Sequence, residues 1–202
     1  MLAALVTLAA VAGLLYGLAR LGDEARRRIG PRDRYTVRFA DVECDTPPGL
    51  DRPTFLAEVR YAANLPETFN LFSAEDTDRL KSAFAAHPWV AAVEGIDAEP
   101  PARVRVRLRF RVPVLAVRTD GGSVRLVAAD GVLLPVSPLP GDVAELATPS
   151  PPPTVSAGRV WDDPVVRRAV ELVAAYRPRR LEKTPTGWRL TQPDGKVLLI
   201  GP

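Results

Sequence analysis

The sequence predicts an α+β protein with a single N-terminal transmembrane helix, then a β-α-α-β-β unit, then a mixed β-rich unit with one long helix. Three observations support this prediction. Residues 2–19 form an uncharged apolar run. Two amphipathic helical segments lie between a strand-like segment and the alternating run 103–112. Beyond Pro113, short apolar segments with Asp-Gly turns surround one further helical pattern.

The composition is that of a chain able to bury a core. Its 202 residues are 47% hydrophobic and 25% charged, which excludes a disordered tail and predicts one or two small domains. The 27 basic residues nearly balance the 24 acidic ones. The resulting net charge of +3 does not require a nucleic-acid partner.

Residues 1–22 are interpreted as a transmembrane anchor, and residues 23–33 as a charged juxtamembrane linker. A helix needs about 20 apolar residues to cross about 30 Å of hydrocarbon, and this run provides them. The alternative is a cleaved signal peptide, which has basic residues before its apolar run and a small-x-small site after it. The sequence offers only Gly17-Leu18-Ala19, so an uncleaved anchor is favoured.

The first folded unit is predicted over residues 34–113. It begins with a strand, because residues 35–43 alternate between apolar and polar side chains. Two helices follow. The first opens at Pro53, a residue suited to the first helical turn, and the second opens at Ser73, which is suited to cap it with Asp76 three residues later.

Two strands complete this unit, over residues 89–96 and 103–112. Successive side chains of a strand point to opposite faces, so the apolar residues of the second run belong beneath the helices and its arginines on the open face. We call these arginines the arginine row: Arg103, Arg105, Arg107, Arg109 and Arg111.

The arginine row has two interpretations. It is either a surface for anionic lipid head groups or an acidic partner, or a solvated sheet face that discourages contact with other sheets. Acidic residues on neighbouring strands, such as Glu94, are candidates to pair with the row. Nucleic-acid binding is disfavoured, because no aromatic residue shares that face to stack on bases.

The second folded unit is predicted over residues 114–202. Asp120-Gly121-Gly122 and Asp130-Gly131 divide its first part into three short strands. Six prolines between residues 138 and 158 predict an irregular loop.

A helix and the last strands follow that loop. Asp163 is suited to cap a helix that begins with Pro164. The remaining residues form strands, the last two of which are joined at Pro193-Asp194-Gly195.

The chain offers no set of residues for catalysis or metal binding. It has one histidine, His87, and one cysteine, Cys44, with no third ligand at the spacing of a metal site. Neither Gly-x-Ser-x-Gly nor Ser-x-x-Lys occurs. We therefore expect a protein that is not an enzyme, uses no cofactor and binds no small-molecule substrate.

Three segments resemble the FtsQ/DivIB cell-division family. The first is HPWVAAVEGIDAEPPARVRVRLRFRVPVLAV, similar to the family's Pro-Trp-Val strand and its run ending in Arg-x-Pro-Val. The others are RLVAADGVLLP, similar to its Leu-Val-Asp-x-Asp-Gly segment, and GWRLTQPDGKVLLIG, similar to its Trp-x-Leu, Asp-Gly and Leu-Gly ending. The resemblance covers nearly the whole chain from Tyr35 on.

The resemblance implies a POTRA domain over residues 34–113 and the family's β domain over residues 114–202. It further implies a scaffold for septum assembly, held in the bacterial inner membrane by a single pass, with both domains outside the cytoplasm. The implied partners are other single-pass division proteins.

The implied orientation conflicts with the charges around the apolar run. Arg26, Arg27 and Arg28 follow the run and nothing basic precedes it, so the positive-inside rule alone places the C-terminal part in the cytoplasm. A basic N-terminal tail missing from the sequence would reconcile the two.

The sequence departs from the family at two places. Phe110 stands where the family usually has Glu, which suits a buried strand residue. Relatives continue past the Leu-Gly motif into a helix and a last strand that receive partners, whereas this sequence stops at Gly201-Pro202. An unpaired strand is a template for a partner's strand. The candidate edge strand is therefore Val197, Leu198, Leu199 and Ile200.

The alternative function is a POTRA-type module for outer-membrane protein assembly or secretion. An uncleaved single anchor and the lack of barrel-length sequence count against it.

Overall fold

The structure, a computed structural model, describes residues 36–70, 73–99, 102–137 and 141–201, together with residues 13, 16–18 and 20. The strands are β1 (Thr36–Arg38), β2 (Glu43–Cys44), β3 (Thr68–Asn70), β4 (Val90–Glu99), β5 (Arg103–Phe110), β6 (Pro113–Thr119), β7 (Val124–Ala128), β8 (Ala144–Ser150), β9 (Arg180–Thr184), β10 (Gly187–Thr191) and β11 (Val197–Ile200). The helices are α1 (Arg52–Ala62), α2 (Ala74–Ala86) and α3 (Pro164–Tyr176).

The fold is mixed α+β, but the described residues contain no transmembrane helix, and that part of the prediction is wrong. Among the described residues, no helix is both long and apolar enough to cross a membrane. The longest of α1, α2 and α3 has 13 residues, or about 20 Å, against the roughly 30 Å of a bilayer core. Most of the predicted anchor and the whole predicted linker, residues 23–33, lie outside the described residues.

The first unit packs α1 and α2 on one face of a three-stranded sheet with the order β2-β5-β4. The predicted role of Ser73 as the cap of α2 is confirmed, since its hydroxyl accepts a hydrogen bond from the Asp76 N–H at 3.1 Å. The Asp76 carboxylate accepts from the Asn70 N–H at 2.9 Å. The two-residue period of β5 is also confirmed: Val104, Val106 and Leu108 are buried against the helices, and the arginines between them are exposed.

The predicted first strand is divided into two. β1 pairs antiparallel with β3 in a separate two-stranded sheet, and β2 pairs parallel with β5. A 3-10 turn over Phe39–Asp41 separates them. The turn changes the spacing of the buried residues, so that Val42 follows Phe39 into the same core under the helices.

The second unit packs α3 on one face of a six-stranded sheet with the order β11-β10-β9-β8-β6-β7. The predicted start of α3 is confirmed: the Asp163 carboxylate accepts hydrogen bonds from the N–H groups of Val165 and Val166, and Pro164 occupies the first turn. The buried face of α3 covers β6, β8, β9 and β10 through Val166, Ala169, Val170 and Leu172.

The predicted loop over residues 138–158 is wrong in its central part, where β8 forms. β8 lies between β6 and β9 and is parallel to both. Ala144 and Leu146 are buried beneath α3, and Pro149 falls near the strand's end. Burial of this segment therefore overrides the proline content that predicted a loop.

The two units meet at a short junction. Only Arg111 and Val112 separate β5 from β6, so β5 ends two residues before its predicted end. Trp89, the residue before β4, is buried against Ala116 of β6, Leu126 and Ala128 of β7, and Leu134 at the outer edge of β7.

Replacing Gly187 tests the turn that begins β10. Gly187 has φ of +141°, and a Cβ there would overlap the carbonyl oxygen of Ile200 on β11. We expect Gly187→Ala to lower the free energy of unfolding by about 2 kcal/mol or more, from backbone strain and loss of the β10–β11 contact. Urea unfolding followed by circular dichroism measures it. Gly201→Ala is the control, because a Cβ at Gly201 meets nothing, and equal losses in both variants would contradict the expectation.

Candidate functional site

Each member of the arginine row lies beside a carboxylate. Asp97 and Glu99 lie opposite arginines of β5. Glu94 lies at a register shift, where β4 has one residue more than β5. The ion pairs are Arg103 with Glu43 and Glu99 (3.6 Å each), Arg105 with Glu43 (2.9 Å), Arg107 with Asp97, Arg109 with Glu94 (3.2 Å) and Arg111 with Asp130 (2.9 Å).

These pairs leave the arginine row without surplus charge, since its five guanidinium groups face five carboxylates. The hydrogen bond from Arg105 lowers the pKa of the Glu43 carboxyl, which keeps that partner ionised. A surface that binds anionic head groups needs uncompensated positive charge. The pairing therefore favours the solvated sheet face over the lipid surface.

A glycine lets one of these pairs form. Gly95 lies directly opposite Arg107, and a Cβ on Gly95 would occupy the space of the Arg107 guanidinium. The arginine side chain therefore crosses the bare backbone of β4 to reach Asp97.

Arg111 differs from the rest of the row in position and in burial. Its side chain is only 16% exposed, against 54–64% for the other four. It donates hydrogen bonds to the carbonyl oxygens of Pro88 (2.9 Å) and Val90 in the first unit, and to Asp130 in the second. Arg111 therefore ties the two units together at their junction.

The candidate edge strand is β11, which lies at one end of the six-stranded sheet and, of the described strands, pairs with β10 alone. The Gln192 N–H donates to the Lys196 carbonyl in the turn between the two strands. The backbone groups of Lys196 therefore point toward β10, and along an antiparallel pair this direction alternates from residue to residue. Leu198 and Ile200 thus direct their N–H and C=O groups to β10, whereas Val197 and Leu199 direct theirs away from the sheet.

The side chains of β11 add an apolar surface to this open edge. Leu199 is 76% exposed and Val197 is 54% exposed, and both lie on the sheet face opposite α3. Ile200 instead packs against the core under α3.

The opposite end of the same sheet is covered. Val127 of β7 bridges to Leu133, and the Leu134 N–H donates to the Leu126 carbonyl. Residues 132–134 thereby occupy most of the outer edge of β7. In the described sheet, β11 is the edge along which a partner's strand has room to pair.

The groups with reactive chemistry are engaged in structure. His87 is buried at the end of α2, with Nε2 3.1 Å from Glu58 Oε2 and Nδ1 accepting the Trp89 N–H. Burial raises the pKa of the Cys44 thiol to about 11, so it is not a ready nucleophile. Among the described residues, no cluster of His, Cys, Asp and Glu is arranged to hold a metal ion.

Sequence reasoning named Glu94 as a partner of the row, and the structure pairs it with Arg109. It did not find the other partners or the separate role of Arg111. Alternating acidic residues in β4, at Asp97 and Glu99, were the available signal for the pairing. Nothing in the sequence marks Asp130, because its contact with Arg111 depends on how the two units meet.

Arg111→Gln tests the junction. Loss of its charged hydrogen bonds at a largely buried site is expected to lower the free energy of unfolding by about 2 kcal/mol. Arg109→Gln, which removes an exposed pair, is the matched control and is expected to cost less than about 1 kcal/mol. Guanidinium unfolding of both variants gives the comparison, and equal losses would contradict a special role for Arg111.

Comparison of the chain with models of protein families and with curated proteins found no match.

Proposed function

We propose that this protein is a non-enzymatic scaffold that binds a partner protein by adding the partner's strand to β11. The observation that carries the proposal is the open edge of β11, where outward backbone groups combine with exposed Val197 and Leu199. Strand addition uses main-chain hydrogen bonds for affinity and alternate side chains for specificity, and β11 provides both.

The contrast between the two ends of the sheet supports this proposal. Natural sheets blunt their edges with short strands, charged side chains or a covering segment. Residues 132–134 cover much of β7, whereas β11 carries three apolar residues with at least a third of their surface exposed. Such an edge favours association, and a partner strand would bury it.

The arginine row is a less suitable docking surface than β11, because its charges are already paired. Its guanidinium groups are already paired with carboxylates of the same chain, so an acidic partner would have to displace them. The β11 edge requires no such exchange, since no described strand pairs with its outward groups.

We further propose that the scaffold acts in bacterial cell division, with its domains outside the cytoplasm and single-pass division proteins as partners. The support is the resemblance of three segments to the FtsQ/DivIB family, and two of them fall on elements that the proposal uses. One contains β10 and β11, and one contains β4, β5 and the junction.

Leu199→Pro tests strand addition. Proline removes an outward N–H that β10 does not use, so folding is retained while a partner strand loses a main-chain bond. We expect recovery of co-purified division proteins, measured by quantitative mass spectrometry after crosslinking in cells, to fall about tenfold. Leu199→Ala is the control, because it keeps the N–H and loses only side-chain contact. Equal recovery from the proline variant and the unmodified protein, with both folded, would reject β11 as the docking edge.

The division role is tested by imaging a fusion to a fluorescent protein that matures outside the cytoplasm. We expect the signal to concentrate at the division site, since the proposed partners assemble there. Uniform envelope signal would contradict the division role and favour the outer-membrane assembly alternative. A fusion that fluoresces only with a cytoplasm-maturing tag would contradict the extracytoplasmic location.

A further inference from the structure

A groove rich in arginine lies on the face of the six-stranded sheet opposite α3. Its volume is about 730 Å³, within the range of small-molecule sites. Arg118 enters it from β6 and Arg180 from β9, while Arg177 and Arg179 come from the connection between α3 and β9. We call these four residues and the space between them the arginine groove.

The arginine groove, unlike the arginine row, has surplus positive charge. Its lining contains two carboxylates, Asp142 and Glu145. Glu145 is shared between Arg118 at 3.9 Å and Arg180 at 3.6 Å, both longer than a hydrogen bond. Four guanidinium groups against two carboxylates leave two positive charges unmatched.

Two of the arginines are available to a ligand. Within the described part of the chain, the side chains of Arg177 and Arg179 make no hydrogen bond or ion pair. Arg177 ends α3 in a left-handed conformation, with φ of +49°. The C-terminus of α3 contributes about half a negative charge at this point, which reduces the surplus to about 1.5 positive charges.

The surplus matches one particular class of anion. A phosphate monoester carries about 1.5 to 2 negative charges near neutral pH, and the planar guanidinium fork binds its oxygens in pairs. The Thr191 side chain and the small apolar residues Ala116, Val143 and Pro178 line the remaining wall. No aromatic ring is among the described lining residues, so the groove lacks a platform for a nucleobase.

We propose that the arginine groove binds a phosphate-type oxyanion, held by Arg177 and Arg179 with Arg118 and Arg180 flanking it. Such a group occurs in soluble phosphate esters and in the head groups of anionic lipids. The site is distinct from the β11 edge and does not depend on strand addition there.

The test is titration of the full chain with inorganic pyrophosphate by calorimetry, together with flotation on phosphatidylcholine vesicles with and without phosphatidic acid. We expect binding in at least one arm, with the affinity at least about tenfold weaker in the Arg177→Gln/Arg179→Gln variant. These side chains have no partners among the described residues, so the variant is expected to keep its fold, which circular dichroism checks.

The matched control is Arg103→Gln/Arg109→Gln, which removes the same charge from the paired row. We expect this control to bind as the unmodified protein does. Pyrophosphate binding identifies a soluble ligand, and binding only to vesicles with phosphatidic acid identifies a lipid head group. Equal weakening in both double variants, no binding in either arm, or tighter groove-dependent binding of poly-glutamate than of pyrophosphate would each overturn the proposal.

Discussion

The shortness of the link between β5 and β6 is the constraint on which the rest of the molecule depends. With only Arg111 and Val112 between the strands, the two sheets must meet at that point. The polar groups at the junction need hydrogen-bond partners, and its apolar side chains need to be buried. Arg111 meets the polar requirement by donating to carbonyl oxygens of one unit and a carboxylate of the other. Trp89 meets the apolar requirement by packing on β6 and β7.

This junction divides the six-stranded sheet into regions with different roles. One face is covered by α3, and the β6–β7 end of the other face is covered by Trp89 and its neighbours. The rest of that second face remains accessible, with the arginine groove near its centre and β11 at its rim. Covering one end of the sheet thus concentrates the accessible surface at the other.

Local sequence signals predicted the elements that depend on neighbouring residues. The caps at Ser73 and Asp163 and the two-residue period of β5 are of this kind, and all three are confirmed. Elements that depend on distant contacts were missed: β8 forms because it completes a sheet between β6 and β9, against its flanking prolines. The transmembrane helix was inferred from composition alone, and the described helices do not include it.

The candidate sites show the same limit. The two-residue period of β5 placed its arginines on one face of the sheet. The net charge of that face, however, depends on acidic residues of β2, β4 and a turn. The arginine groove joins residue 118 to residues 177–180 across β8, a strand that the sequence did not indicate. A surface formed by segments far apart in the sequence depends on the order of strands in the sheet. Local sequence patterns do not predict that order.

The pairing of the arginine row also determines how the molecule is sensed from a distance. Charges of opposite sign a few ångströms apart form short dipoles, whose potential decays faster than that of a single charge. Beyond the Debye length of about 8 Å at physiological ionic strength, the row therefore contributes little to the external field. At separations comparable to that length, attraction of an anion comes instead from arginines that pair with no described carboxylate, such as Arg177 and Arg179. An anion approaching through solvent is therefore drawn toward the groove and not toward the most arginine-rich strand.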